Sequence, residues 1–239
     1  MEIFVEENYD ELSKRTADTI AYFVKQKANC VLGLATGSTP MGAYKILVEM
    51  VKNGEVRFDQ VKTFNLDDYL GLDSKNPFSY HYLMKEALFS KIDIDIKNTF
   101  FPNDFAPNFE NYDKKIESCG GIDLQILGIG RNGHIGFNEP GSDFNSKSRE
   151  VVLAETTIKD NARFFKDIND VPKKAATMGM ATIMKAKKII LLANGESKKE
   201  IIYDAFFGPI SEKVPASMLQ KHKNVTIILD KLAAGKIKN

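Results

Sequence analysis

Three segments of the sequence carry residue types suited to chemistry, and the richest is Gly128–Pro140. It holds Asn132, His134 and Glu139 among closely spaced glycines. A histidine beside a carboxylate is the usual arrangement for moving protons near neutral pH, and glycines let a backbone approach a ligand closely. A plain turn residue is the alternative interpretation of His134. The segment also contains a Gly-x-Gly-x-x-Gly pattern, but it lies in the middle of the chain, and no acidic residue ends a predicted strand about 20 residues later, as a dinucleotide site needs.

Two adjacent carboxylates, Asp67 and Asp68, follow the apolar stretch Val61–Leu66. Neighbouring residues on an extended chain point in opposite directions, so only one of the two is expected to enter a given pocket. A carboxylate that is partly removed from water has a raised pKa and can act as a base. A helix cap, a turn or a metal site are the other interpretations, although a metal would require more ligands than this loop supplies.

The third segment is Thr36-Gly37-Ser38-Thr39-Pro40, which follows the apolar stretch Cys30–Ala35. Pro40 is expected at the first position of a helix, where its missing N–H has no partner to lose. Backbone amides, hydroxyls and the positive end of the helix dipole would then converge and favour a phosphate. The loop lacks the Gly-Lys-Ser/Thr of a Walker A motif. A plain N-capped turn between a strand and a helix explains it equally well.

The elements that would position these segments alternate between strands and helices. The predicted strands are Cys30–Ala35, Val61–Leu66, Leu124–Ile129, Ile189–Ala193 and Val225–Leu229. Helical patterns cover Leu12–Phe23, the residues from Pro40, Tyr80–Phe89, Phe109–Ser118, Ala175–Lys185 and Ser197–Phe207. This alternation predicts an α/β fold with a doubly wound, mostly parallel, Rossmann-like sheet that has helices on both faces. We predict a single domain over 1–239, with 142–171 forming an irregular lid or insertion.

Composition narrows the class of protein. The chain has 239 residues, 43% of them apolar and 27% charged, which is typical of a globular protein. Its 33 Lys and Arg against 32 Asp and Glu give a net charge of +1, so no overall field favours nucleic acid or an acidic membrane. Cys30 and Cys119 are solitary, as expected for structural thiols in a reducing compartment. With neither a signal peptide nor a membrane span predicted, a cytoplasmic location is expected.

The three segments together resemble those of the glucosamine-6-phosphate deaminases, of the sugar-phosphate isomerase type. The resemblance covers almost the whole chain and includes Asn161–Phe165, Val171–Ala175 and Gly195–Lys198. It implies conversion of glucosamine 6-phosphate and water into fructose 6-phosphate and ammonia, in amino-sugar catabolism. It also implies that no metal, flavin or pyridoxal phosphate takes part.

The resemblance also implies a set of site residues. By position, Asp67 is the base for enolisation and His134 the acid and base for ring opening, with Asn132 and Glu139 assisting His134. The substrate phosphate is expected among Thr36, Gly37, Ser38, Thr39, Arg163 and Lys198. Many members carry Asp where this chain has Asn132. An amide orients a neighbour by hydrogen bonding but holds no charge, so Asn132 is assigned to positioning.

Larger members of this type are hexamers activated by N-acetylglucosamine 6-phosphate. Arg149 persists here, but Val151 and Val152 stand where those members carry Lys and Thr. Two apolar side chains cannot hold a phosphate, so we expect no such activation, and we expect a monomer over a homo-oligomer. The expected partner is a small sugar phosphate, with neither nucleic acid nor membrane involved.

Two alternatives come from other functional classes. A 6-phosphogluconolactonase-like hydrolase shares the fold and a Gly-x-Gly-x-x-Gly-His segment, but that segment continues to Leu-Phe-Pro where this chain has Phe137-Asn138-Glu139-Pro140. A lactonase also has no need of an enolising base. A non-catalytic sugar-phosphate sensor would carry a DNA-binding helix-turn-helix ahead of the sheet, whereas here the first helical pattern leads straight to the phosphate-loop strand.

Overall fold

The computed structural model describes residues 1–162, 165 and 167–237. Its strands are β1 (Glu2–Glu6), β2 (Val31–Leu34), β3 (Lys62–Asn65), β4 (Asp67–Tyr69), β5 (Thr99–Phe100), β6 (Leu124–Gly128), β7 (Arg149–Val152), β8 (Lys174–Thr177), β9 (Lys188–Ala193) and β10 (Val225–Asp230). Its α-helices are α1 (Tyr9–Gln26), α2 (Ser38–Lys52), α3 (Tyr80–Ala87), α4 (Glu110–Ser118), α5 (Glu155–Asn161), α6 (Met180–Ile183) and α7 (Lys199–Phe207). Short 3-10 helices span Phe89–Lys91, Ile96–Asn98, Pro102–Phe105, Ile168–Asp170, Glu196–Lys198 and Pro215–Lys221.

The central sheet has seven strands in the order β1-β10-β9-β6-β2-β3-β5, and each neighbouring pair is parallel. The predicted doubly wound α/β fold is therefore confirmed. From β2 the chain adds β3 and β5 on one side, and then β6, β9 and β10 on the other. The strand order reverses between β2 and β6, and such a reversal opens a ligand crevice at the carboxyl ends of the strands.

Strand β2 shows why apolar runs predicted this sheet. Leu32 and Leu34 belong to one hydrophobic core and Val31 to the other, so alternate residues of the strand are buried on opposite faces. Helices α1 and α2 pack on the Leu32 side through residues such as Leu12 and Leu47. Both faces of the strand are covered, as the continuous apolar pattern requires.

The helix predicted over Ala175–Lys185 is wrong. The chain forms β8 there, followed by the short helix α6, and β8 joins β4 and β7 in a separate antiparallel sheet of three strands. The hydrogen bonds of two neighbouring strands outweigh the helix propensity of a local alanine pair. Gly179 separates β8 from α6, and a Cβ there would lie 2.3 Å from the carbonyl oxygens of Ser146 and Lys147.

Two further boundaries differ from expectation. Helix α2 begins at Ser38, so Pro40 is its third residue and still lies in the first turn, where proline is tolerated. Strand β7 and helix α5 both lie within 142–171, and the assignment of that segment as a lid stays a prediction. Within the described part of the chain, no helix is both long and apolar enough to span a bilayer.

Candidate active site

The carboxyl ends of four neighbouring strands, β9, β6, β2 and β3, carry the predicted site segments. Arg163 is the exception, because it lies outside the described residues. Hydrogen bonds join the segments across the strand ends. The Thr39 hydroxyl donates to Asn194 Oδ1 at 2.8 Å, and Lys198 Nζ donates to the Ile129 carbonyl oxygen at 2.7 Å. Residues far apart in sequence therefore meet at the carboxyl ends of the central strands, where the strand order reverses between β2 and β6.

The predicted phosphate loop is the start of helix α2. Gly37 is the N-cap residue with a φ of 101°, a left-handed conformation that favours glycine. The first turn of α2 is held by Tyr9, whose hydroxyl donates to the Ser38 carbonyl and accepts from the Gly42 N–H, both at 2.9 Å. The first amides of a helix have no partner within it, so the start of α2 has the electrostatics of an anion site.

His134, Asn132 and Glu139 form a connected group, as predicted. His134 Nδ1 lies 2.7 Å from Asn132 Oδ1 and 3.5 Å from Glu139 Oε2, and Asn132 Nδ2 donates to Glu139 Oε2 at 2.7 Å. Both oxygens near Nδ1 are acceptors, which assigns the ring hydrogen to Nδ1 and leaves Nε2 to exchange a proton. The ring packs against Gly130, where a Cβ would come within 2.2 Å of it. The His134 side chain is 25% exposed, so a ligand in the crevice can reach it.

Glu139 is held as a carboxylate. Burial alone would raise the pKa of Glu139, but hydrogen bonds and charge from His134, with hydrogen bonds from Thr157 and Asn132, outweigh burial and lower it to about 2. Thr157 belongs to helix α5 and donates its hydroxyl hydrogen to Glu139 Oε1. Sequence reasoning missed this threonine, because its contact joins positions 18 residues apart.

Asp67 starts strand β4 opposite Thr177 of β8 and is only 7% exposed. Burial, together with the nearby charge of Asp68, raises the pKa of Asp67 to about 8. The His134 loop passes directly over this carboxylate, since a Cβ on Gly136 would lie 3.3 Å from Asp67 Oδ2. Gly136 has a φ of 58° and is two residues from His134. The predicted base therefore lies against the loop that carries the predicted ring-opening group.

Asp68 points the other way, as strand alternation predicts. Its Oδ1 accepts the backbone N–H groups of Tyr69 and Tyr80 at 2.7 and 2.8 Å, at the start of helix α3. The capping interpretation therefore describes Asp68. Among the described residues, no group of three or more His, Cys, Asp or Glu side chains is placed to hold a metal ion.

An aromatic cluster lies around Tyr69, two residues after Asp67 in β4, and sequence reasoning missed it. Tyr69 packs against Tyr80 and Phe137, with ring centroids 5.1 and 5.8 Å apart. Phe165 contacts Tyr69 at 5.9 Å and stacks on Phe78 at 4.6 Å. Asp67 and Tyr69 are two residues apart in β4, so their side chains share one face of the strand, and burial on this face raises the Asp67 pKa.

The chain is similar to proteins of known activity over almost its whole length. A family model described as glucosamine-6-phosphate isomerases/6-phosphogluconolactonase matches residues 5–228. A glucosamine-6-phosphate deaminase of Thermoanaerobacter sp. (strain X514) is 52% identical over 241 residues, covering 99% of this chain and 95% of that protein. Another, from Halothermothrix orenii, is 52% identical over 239 residues, covering 98% of this chain and 99% of that protein.

Among solved structures, a deaminase is more similar to this chain than a lactonase is. A monomeric glucosamine-6-phosphate deaminase superposes with a TM-score of 0.95 at 44% identity, covering 98% of this chain and 99% of the other. The 6-phosphogluconolactonase of Trypanosoma brucei superposes with a TM-score of 0.79 at 24% identity, covering 99% and 98%. The second similarity shows a shared fold alone.

Proposed function

The chain belongs to the family of glucosamine-6-phosphate isomerases and 6-phosphogluconolactonases, and we propose that Asp67, His134, Glu139 and Asn132 form its catalytic centre. The enzyme isomerises and deaminates glucosamine 6-phosphate, giving fructose 6-phosphate and ammonia. The observation that carries the proposed site is one crevice with two carboxylates of opposite character. The pKa of Asp67 is raised to about 8 and that of Glu139 is lowered to about 2.

The substrate phosphate is proposed to bind at the start of helix α2. The Thr36–Thr39 loop offers backbone amides and hydroxyl groups, and Lys198 adds a positive charge. The Lys198 side chain is anchored beside the His134 loop through its bond to the Ile129 carbonyl. Arg163 stays a predicted phosphate ligand, since a guanidinium binds phosphate through two parallel hydrogen bonds.

Ring opening is proposed to use His134. Its Nε2 accepts the proton of the C1 hydroxyl and delivers a proton to the ring oxygen as the bond between C1 and that oxygen breaks. The product is an open chain with a C1 aldehyde. The Glu139 carboxylate stabilises the imidazolium that forms between these two proton transfers. Asn132 orients both groups through its hydrogen bonds to them.

Isomerisation and deamination are proposed to use Asp67. The new C1 carbonyl acidifies the C2 proton, which the Asp67 carboxylate removes and then delivers to C1. The nitrogen passes a proton to the C1 oxygen, which leaves a C1 hydroxyl and an imine at C2. Water adds to the imine before ammonia leaves, and the product is a C2 ketone. A group that must both take and return one proton works best when its pKa is near the working pH, as it is for Asp67.

We propose that residues 1–239 form one domain in which 142–171 covers the site. The contacts that support this come from within the segment itself. Thr157 hydrogen-bonds Glu139, and Phe165 packs on Tyr69 beside Asp67. A cover of this kind would keep bulk water from the open-chain intermediate.

We also propose a monomer in the cytoplasm that is not activated by N-acetylglucosamine 6-phosphate. The similarity to a monomeric deaminase supports the monomer. The apolar side chains of Val151 and Val152 support the absence of activation. Light scattering should give a mass near 26.8 kDa, and the rate should depend hyperbolically on substrate. A hexamer, or a sigmoidal curve that the acetylated sugar phosphate straightens, would contradict this proposal.

One assay tests the proposed function directly. Protein freed of metals by chelation is mixed with glucosamine 6-phosphate, and both ammonia and fructose 6-phosphate are measured. We expect the two products in equal amounts, and their loss in Asp67→Asn. Hydrolysis of 6-phosphogluconolactone with no release of ammonia would favour the lactonase instead.

A further inference from the structure

His81 lies in the first turn of helix α3, close behind the predicted base. Its Nδ1 is 2.7 Å from Asp68 Oδ2, and its Nε2 is 3.1 Å from a carboxylate oxygen of Asp104. Phe101 stacks on the ring with centroids 3.7 Å apart. A histidine whose two nitrogens both face carboxylates donates from both, which is the bonding pattern of the positively charged imidazolium.

The electrostatics of His81 agree with this geometry. Burial alone would lower the pKa of His81, but hydrogen bonds to Asp104 and Asp68 outweigh it and raise the pKa to about 9. The side chain is 17% exposed, so solvent screens these contacts only in part. His81 is therefore charged at neutral pH.

The partner of His81 is fully buried. Asp68 is 0% exposed, and its Oδ2 accepts both Nδ1–H and, at 3.2 Å, the backbone N–H of His81. Asp68 and Asp67 are consecutive residues of β4, so the direction of one side chain fixes that of the other. A buried carboxylate that loses its cationic partner becomes an uncompensated charge next to the base.

We propose that His81 is a positioning residue for Asp67: it acts through Asp68, whose carboxylate it turns away from the crevice and whose charge it balances. The inference rests on the proposed function of Asp67 as the base. Asp68 and Asp104 are the titratable groups that face the imidazole from β4 and from the 3-10 helix Pro102–Phe105. Tyr80 and Tyr112 interact electrostatically with Asp67 but are neutral at working pH, since burial raises both of their pKa values well above the ordinary value.

Opposite substitutions should move the activity in opposite directions. His81→Phe keeps a ring to stack on Phe101 but removes the positive charge. We therefore expect the acid limb of the kcat–pH profile to shift to higher pH by about one unit, so that kcat is about tenfold lower than wild type at any pH on the acid side of the limb. Asp68→Asn removes the negative charge next to Asp67 and should move the limb to lower pH. KM should stay within about twofold of wild type in both. The substrate amine titrates identically in every assay and cancels from the comparison.

Asp104→Asn is the matched control. It removes the negative charge of one acceptor of His81 and leaves the contact with Asp68, and the Asp104 side chain is 49% exposed. We expect its acid limb to stay within about a third of a unit of wild type, because exposed charges are screened. If His81→Phe fails to fold, His81→Asn is the substitute, because it keeps a hydrogen-bond donor to Asp68 without the charge. The acid limb of its kcat–pH profile should also shift to higher pH.

A second measurement does not depend on activity. The chain has three histidines, so a spectrum of protein with 15N-labelled histidine is assigned by the signal that disappears in His81→Phe. We expect both His81 nitrogens to carry hydrogen at neutral pH. A neutral His81 there, an unmoved limb in His81→Phe, or limbs that move the same way in His81→Phe and Asp68→Asn would overturn the inference. Failure of the proposed function would give a different result from failure of this inference. In that case wild type would release no ammonia, or Asp67→Asn would remain active.

Discussion

Asp67→Asn tests the burial and the chemistry of the predicted base together. The side chain is 7% exposed, and its pKa is raised from an ordinary 3.8 to about 8. Asparagine has nearly the same shape but neither takes nor releases a proton in this range. We expect turnover to be abolished while substrate binding stays within about tenfold, or ~1.4 kcal/mol. We also expect the variant to be more stable than wild type at alkaline pH.

The magnitude follows from proton linkage. Between pH 3.8 and about 8 the folded protein keeps a proton on Asp67 that the unfolded chain has released, so the free energy of unfolding falls as pH rises through this window. The upper limit of the loss is about 6 kcal/mol, from roughly four pH units at ~1.4 kcal/mol each. Relaxation and water entry around an ionised carboxylate reduce such penalties in proteins. We therefore expect a gain of about 2 kcal/mol for Asp67→Asn above pH 8 and almost none near pH 4.

Urea unfolding of both proteins at about pH 4.5 and about pH 9 measures this difference. Other titrating groups contribute equally to wild type and variant, so the change in the difference with pH isolates Asp67. Asp18→Asn, at an exposed position of helix α1, is the control and should show neither a pH-dependent difference nor a loss of turnover. A stability difference that is the same at both pH values would refute the raised pKa. Near-normal turnover in Asp67→Asn would refute its assignment as the base.

Three further substitutions test the rest of the site. Glu139→Gln removes the carboxylate beside the ring-opening histidine, and kcat should fall by about a hundredfold with little change in KM; an effect on KM alone would contradict the assignment. Lys198→Ala should raise KM far more than it lowers kcat, and an unchanged KM would remove Lys198 from the phosphate site. Gly136→Ala combines a φ of 58°, worth ~1 kcal/mol of strain, with a Cβ 3.3 Å from Asp67 Oδ2, so kcat should fall more than tenfold. Gly54→Ala is its control, because Gly54 has a φ of 74° and open space around it, and it should lose stability while keeping kcat.

The parts that the sequence predicted correctly rest on local patterns. Strands such as β2 and β9 are continuous apolar runs, and their burial on both faces follows from that composition alone. The opposite directions of Asp67 and Asp68 follow from strand alternation, which is a property of the backbone. The residues around His134 lie within one short loop, so their contacts are also local in sequence.

The parts that the sequence did not predict depend on contacts between distant positions. Strand β8 exists because Thr177 pairs with Asp67 and Arg149, and nothing in its own residues indicates either partner. The edge strand β1 is five residues long and pairs with β10 near the other end of the chain, with Glu2 opposite Thr226. Burial of Asp67 has the same origin, because its neighbours Thr177 and Gly136 come from separate segments.

Asp67 and Glu139 have different roles because the fold places them in different surroundings. Asp67 is buried and stands beside another acid, so it holds a proton weakly enough to release it and tightly enough to return it. Glu139 is held by donors from His134, Thr157 and Asn132, so it keeps its negative charge whenever an imidazolium forms next to it. Exchanging the two environments would remove both functions, because a carboxylate with a pKa near 2 returns no proton to carbon and one with a pKa near 8 stabilises a cation poorly at neutral pH. The reaction therefore depends on the burial of one acid and on the hydrogen bonding of the other.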